Sequence, residues 1–315
     1  MKTKYIIPFL LIIGIACSKL NSEGEGSSNK KVYVGLGGAT KDFYRYDPSN
    51  DVWTKLADFP GKGESGGVAF AVGEKGYVLR GNTADFYRYD PVSGWEKVAD
   101  FIGGGRFSAV AFVVGEPGKQ KAYVGLGGMG TGGYTKDFYR YDPVSGWEKV
   151  ADFVGEGRLG AVAFVVGEPG EQKAYVGLGI DGMLNSKKDF YRYNPSGWEK
   201  VADFIGEGRL GAVAFVVGEP GEQKAYVGLG RGSSTDKYFK DFYRYDPSGW
   251  KKVVDFPGEV EGNTVTFVAD GKAYVLGKGR EDFYRYDPVS GWKKLKDLPG
   301  NVKIGPGAVA FSLLP

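Results

Sequence analysis

From residue 30 onward the apolar residues come in short bursts, each cut off by glycine, proline, serine or aspartate, and no long stretch spaces them as an amphipathic helix would. One period of the pattern reads GRLGAVAFVVG, KAYVGLG, KDFYRYNP and GWEKVADF, four segments of strand length joined by turn residues. The chain is therefore predicted to be all-β. In the third segment, the arginine of DFYRY and the aspartate that opens it lie an odd number of positions apart, which puts them on opposite faces of an alternating strand. Each of these arginines (Arg45, Arg88, Arg140, Arg192, Arg244, Arg285) is expected to find an ion pair, or packing for its stem, on a neighbouring strand. The Asp-Pro that usually closes the segment is turn chemistry, since proline cannot continue the ladder.

The pattern repeats. Trp53, Trp95, Trp147, Trp198, Trp250 and Trp292 stand 42, 52, 51, 52 and 42 residues apart, the period of a propeller blade. Four short strands per repeat make one twisted blade. The chain starts with a second-strand segment, KKVYVGLGG at Lys30, and finishes with a first-strand segment, GPGAVAFSLLP. Joining them predicts a six-bladed β-propeller over residues 31–315, with four antiparallel strands per blade and a ring closed by N- and C-terminal strands that share one blade. Of the 47 aromatic residues, 41 fall at repeated positions, as packing between blades requires and a single display platform does not.

The first residues follow other rules. Lys2 and Lys4 lead an apolar run from Tyr5 to Ala16, which reads as an export signal over residues 1–16. The following Cys17 in IAC resembles a lipoprotein lipobox, implying lipidation at that cysteine; an ordinary cleaved signal with a chance cysteine is the alternative. Residues 17–30, rich in Ser, Gly and charge, read as a flexible tether. The expected location is the cell envelope, with a lipid anchor in the outer membrane. Removing Lys2 and Lys4 lowers the formal charge from +3 to +1, which offers nucleic acid no attraction. With a single cysteine there is no internal disulfide.

A glycine-rich strand end, then DFYRYDP, then tryptophan, then a strand opening GRLGAVAF resembles the kelch repeat over residues 31–315. The wording GAVAF, KAYVGLG and KDFYRYDP is similar to kelch-type lipoproteins and secreted proteins of Bacteroidota-like bacteria. The resemblance implies a propeller of a kind that is sometimes enzymatic and often purely binding. Copper oxidation of the galactose oxidase type is excluded, because the chain has no histidine and its one cysteine lies in the export segment. The same absence removes Ser-His-Asp hydrolysis and histidine zinc sites. GLGGMG at Gly125–Gly130 and GLGIDG at Gly177–Gly182 match a dinucleotide fingerprint only in letters, because a strand rather than a helix follows each. No nucleotide, metal or other cofactor is expected.

Function is expected in the loops. Those between strands two and three are short in blades 1, 2 and 6 (GGATK, GNTA, KGRE) and long in blades 3, 4 and 5 (GGMGTGGYTK, GIDGMLNSKK, GRGSSTDKYFK). The same three blades carry Arg106, Arg158 and Arg209 ahead of strand one, where aligned copies have Glu64 and Glu261. Outside the signal and the framework the remaining aromatics are Phe107, Tyr134, Tyr238 and Phe239; Met129, Asp181, Met183, Leu184 and Arg231 complete the sector. Exposed rings, methionines and arginines on scaffolded loops are the material of a binding surface. Blade duplication followed by relaxed constraint on the loops accounts for the pattern equally well. The main expectation is a non-catalytic binding or scaffolding propeller that recognises a protein or glycan partner in the envelope. The alternative, suggested by the sialic acid mutarotases among six-bladed kelch proteins, is a sugar-processing enzyme using Glu156, Glu207 or Glu261 with these arginines around the central opening.

Overall fold

The computed structural model describes residues 30–313 except 39, 64, 65, 131, 219–221, 234–236, 261–263, 278–281 and 306. The export segment, Cys17 and all but the last residue of the tether lie outside the described residues. Six four-stranded antiparallel sheets form the blades of a β-propeller, and no helix occurs among the described residues. Blade 4 shows the unit: Val162–Val166, Lys173–Gly177, Phe190–Asn194 and Gly197–Lys200, paired in sequence order. First strands of successive blades touch in a closed cycle, so strand one lines the axis and strand four the rim.

Blade 1 joins the two ends of the chain. Val309–Leu313 pairs with Lys31–Gly35 in continuous antiparallel register, Lys31 opposite Leu313 and Gly35 opposite Val309. Blades 2 to 6 follow at 68–97, 110–150, 162–200, 213–252 and 265–294.

Rings fill the junctions. Phe164 stacks on Tyr175 with centroids 5.1 Å apart, and these two meet Tyr245 of blade 5 at 5.7 and 5.1 Å. Phe190 and Phe204 meet Trp250 at 5.0 and 5.1 Å. The same set closes the ring, with Phe267, Tyr274 and Phe283 of blade 6 against Tyr46 and Trp53 of blade 1. The repeated aromatics are thus spent on burial between blades, each ring removing about 150–250 Å² from water.

The motif arginines pair across to strand four where that strand supplies an acid: Arg88 with Glu96, Arg140 with Glu148 and Arg192 with Glu199, each opposite its partner in register. In blade 5, Lys251 takes the acid's place and Arg244 turns to Asp246 at 2.9 Å. Closer to the axis, a relay of backbone hydrogen bonds links the segments that precede strand one. Ser108 donates to Gly66, Gly160 to Ser108 and Gly211 to Gly160, at 3.1, 3.4 and 3.0 Å. Gly160 sits at φ 65° with a would-be Cβ 3.2 Å from the Gly211 nitrogen, so a side chain there would be strained in its backbone and crowd the relay.

Phe190 is fully buried. Replacing it with alanine is expected to cost about 3–5 kcal/mol, read as a fall in the urea midpoint at unchanged slope.

Candidate functional site

The loops between strands two and three share one face of the ring with the segments that lead from one blade to the next. On this loop face the three long loops of blades 3 to 5 are partly strand. Arg158–Leu159 pairs with Ile180–Asp181, Phe107 bridges Gly128 and Gly128 bridges Tyr134, and Arg231 lies between Leu210 and Tyr238. The three arginines ahead of strand one do not point outward as the sequence reading required. Their side chains are 0% exposed. Each guanidinium holds both carboxylate oxygens of the aspartate that opens the DFYRY motif: Arg106 with Asp137 at 2.7 and 3.2 Å, Arg158 with Asp189 at 2.7 and 3.0 Å, and Arg209 with Asp241. Each also donates to the leucine carbonyl after strand two, Leu126, Leu178 or Leu229, and lies over a phenylalanine ring.

This network explains two oddities. The leucines adopt left-handed φ angles of 57–59°, rare outside glycine, and in that conformation their carbonyls meet the guanidinium. In blades 1 and 2, where the arginine is missing, the motif aspartate bonds the strand-four lysine instead, Asp42 with Lys55 at 2.8 Å and Asp85 with Lys97 at 2.5 Å. The arginines are therefore internal braces of the loop face, and their assignment as recognition residues is corrected.

The other candidates scatter. Phe239 is buried, with the Arg209 guanidinium 4.1 Å from its ring centre. Tyr238 packs against the core between blades 5 and 6, and Phe107, Met129 and Tyr134 are half-buried. Asp181 is buried and fully used, accepting from the amides of Met183 and Asn185 at 2.9 Å each and pairing with Lys187 at 2.8 Å. Lys187, helped by these amides, holds its carboxyl far below the usual range. Met183 and Arg231 remain exposed, Met183 at 77%.

Nor are the two described glutamates buried. Glu156 and Glu207 are 58% and 66% exposed and form ion pairs with Lys187 and Lys237; Glu261 lies outside the described residues.

The opposite face carries the hairpin turns that join strands one and two, and strands three and four. Here the structure opens a cleft of about 750 Å³ between blades 4 and 5. That is within the range of small-molecule sites, roughly 300–1,000 Å³. Lys173, Tyr175 and Arg192 of blade 4 face Lys224, Tyr245 and Asp246 of blade 5 across it. No candidate residue was drawn from this face on sequence alone. A visible signal was the change of Asp to Asn194 in one copy of the motif.

No family model matches the chain. A segment of 146 residues is 32% identical to the N-acetylneuraminate epimerase of Vibrio cholerae, covering 43% of this chain and 36% of that protein. The epimerase of Vibrio vulnificus is 33% identical over 149 residues, with the same coverage. That of Brucella suis is 37% identical over 114 residues, covering 33% of this chain and 28% of the relative. The match thus spans about a third of the length of these relatives. The solved structure of YjhT superposes with a TM-score of 0.65 at 17% identity over 85% of this chain and 95% of its own, which establishes the fold. The expectation of a non-catalytic binding module is overturned by these relatives, which carry an enzyme's name.

The braces make a prediction of their own. Burial would raise the carboxyl of Asp189, but the hydrogen bond and charge of Arg158 outweigh it and hold the group below its usual value. A depressed carboxyl contributes its stability above the unfolded value, about 3.9, and loses it as pH falls through the folded value. Arg158→Ala strands Asp189 and is expected to cost about 3–5 kcal/mol at neutral pH. That loss should shrink in melts taken below about pH 4, where the stranded carboxylate is protonated.

Proposed function

We propose that the protein is a sugar-processing enzyme that interconverts two configurations of a sugar, the reaction class named in its epimerase relatives. The observation that carries the reading is the similarity itself, which recurs at 31–37% identity in relatives from Vibrio, Yersinia and Brucella that share one name. The residue inventory supports it. A change of configuration needs a proton donor and acceptor but no net oxidation, and Glu, Lys and Tyr can serve in a chain without histidine. The six-bladed ring supports it too, since a rigid scaffold can hold such groups at fixed spacing.

The test is kinetic. Full-length protein added to a freshly dissolved single anomer of N-acetylneuraminate is expected to speed its equilibration about 100-fold or more over buffer, followed by proton NMR. Equal rates with and without protein would sink the reading.

A further inference from the structure

The framework normally neutralises the lysine that starts strand two. Its partner is the aspartate that ends strand three of the same blade: Lys31 with Asp47 at 2.5 Å, Lys75 with Asp90 at 2.8 Å, Lys121 with Asp142, and Lys272 with Asp287 at 3.9 Å. Blades 4 and 5 depart from this in different ways. In blade 4 the aspartate is Asn194, whose side-chain oxygen accepts the Ser196 amide at 2.9 Å. In blade 5 Asp246 is taken by Arg244 at 2.9 Å and by the Ser248 amide at 3.0 Å. Among the described residues, neither Lys173 nor Lys224 makes an ion pair.

Both uncompensated lysines face the same cleft. Tyr245 lines it with a half-buried ring, and the buried Tyr175 packs behind that ring with centroids 5.1 Å apart. Glu168, Glu171 and Glu222 also line the cleft and are as exposed as Lys173, so water screens these charges alike. The neighbouring junctions are latched at this level. Gly73 donates to the side-chain oxygen of Gln120 at 3.1 Å and Gly115 to that of Gln172 at 2.7 Å. The corresponding Gly167 and Gln223 line the open cleft instead.

We propose that the cleft between blades 4 and 5 binds a small carboxylated sugar, with Lys173 and Lys224 on its carboxylate and its ring against Tyr245. This inference rests on the sugar-processing reading and gives that activity its substrate site. Charge-assisted contacts from two ammonium groups select the acid, and a tyrosine ring suits the apolar face of a sugar.

The test uses the full chain, with N-acetylneuraminate and its uncharged methyl ester as probes in calorimetric titration. The acid is expected to bind and the ester to bind roughly tenfold or more weakly, the scale of one lost charge-assisted contact. The double variant Lys173→Gln/Lys224→Gln should weaken the acid by a similar factor at an unchanged melting temperature, because neither lysine holds a structural partner. Asn194→Asp removes no cation but returns a carboxylate to Lys173, and should also lower affinity. Affinity unaltered in both variants overturns the cleft as the site, and persisting turnover then leaves the enzyme reading standing. Cleft-dependent binding without turnover in the unmodified protein supports the site and overturns the enzyme reading. Absence of both binding and turnover overturns both.

Discussion

Everything in this molecule depends on aromatic burial between neighbouring blades. A four-stranded sheet of this sequence is apolar on both faces, and neither face can be left in water. One face of blade 4 presents Phe164, Tyr175 and Phe190, and the facing side of blade 5 presents Tyr245 and Trp250. A linear array would leave one such face bare at each end. Pairing Val309–Leu313 with Lys31–Gly35 removes both bare faces at once, which makes the closed ring the only arrangement in which every blade is covered twice.

Polar interactions then decide local geometry at the two ends of the blades. On the loop face the buried guanidinium is a hub, tying the segment before strand one, the carbonyl after strand two and the aspartate before strand three into one rigid corner. Its bidentate geometry and its place over a ring are what arginine offers and lysine does not. On the turn face the joints are half-buried pairs between lysine and aspartate, without the bidentate geometry or full burial of the braces. Altering such a pair disturbs the fold less than removing a buried brace, and blades 4 and 5 both depart from the pattern.

The blade count, the strand order and the closing of the ring were legible in the sequence because each is written six times. Trp spacing alone sets the period, and the split first blade is visible at the two ends. The role of the arginines was not legible. Arg158 and Asp189 lie 31 positions apart, and nothing local distinguishes a guanidinium turned inward from one offered to a ligand. Phe239 was misjudged for the same reason: the ring is outside the repeated framework but is buried beneath Arg209. The cleft escaped notice because repetition was treated as evidence of structure. The informative residue was the exception within the repeat, Asn194.

That exception has a consequence for how repeat scaffolds acquire chemistry. The turn face carries strand-two lysines whose charge is hidden by an acid on the adjoining strand, so a duplicated blade brings its own silenced cation. A single-nucleotide change from an aspartate codon to an asparagine codon lifts the silence at one address and leaves the other copies mute. The ring can thus try out charged positions one blade at a time, with the aromatic interior indifferent to the outcome.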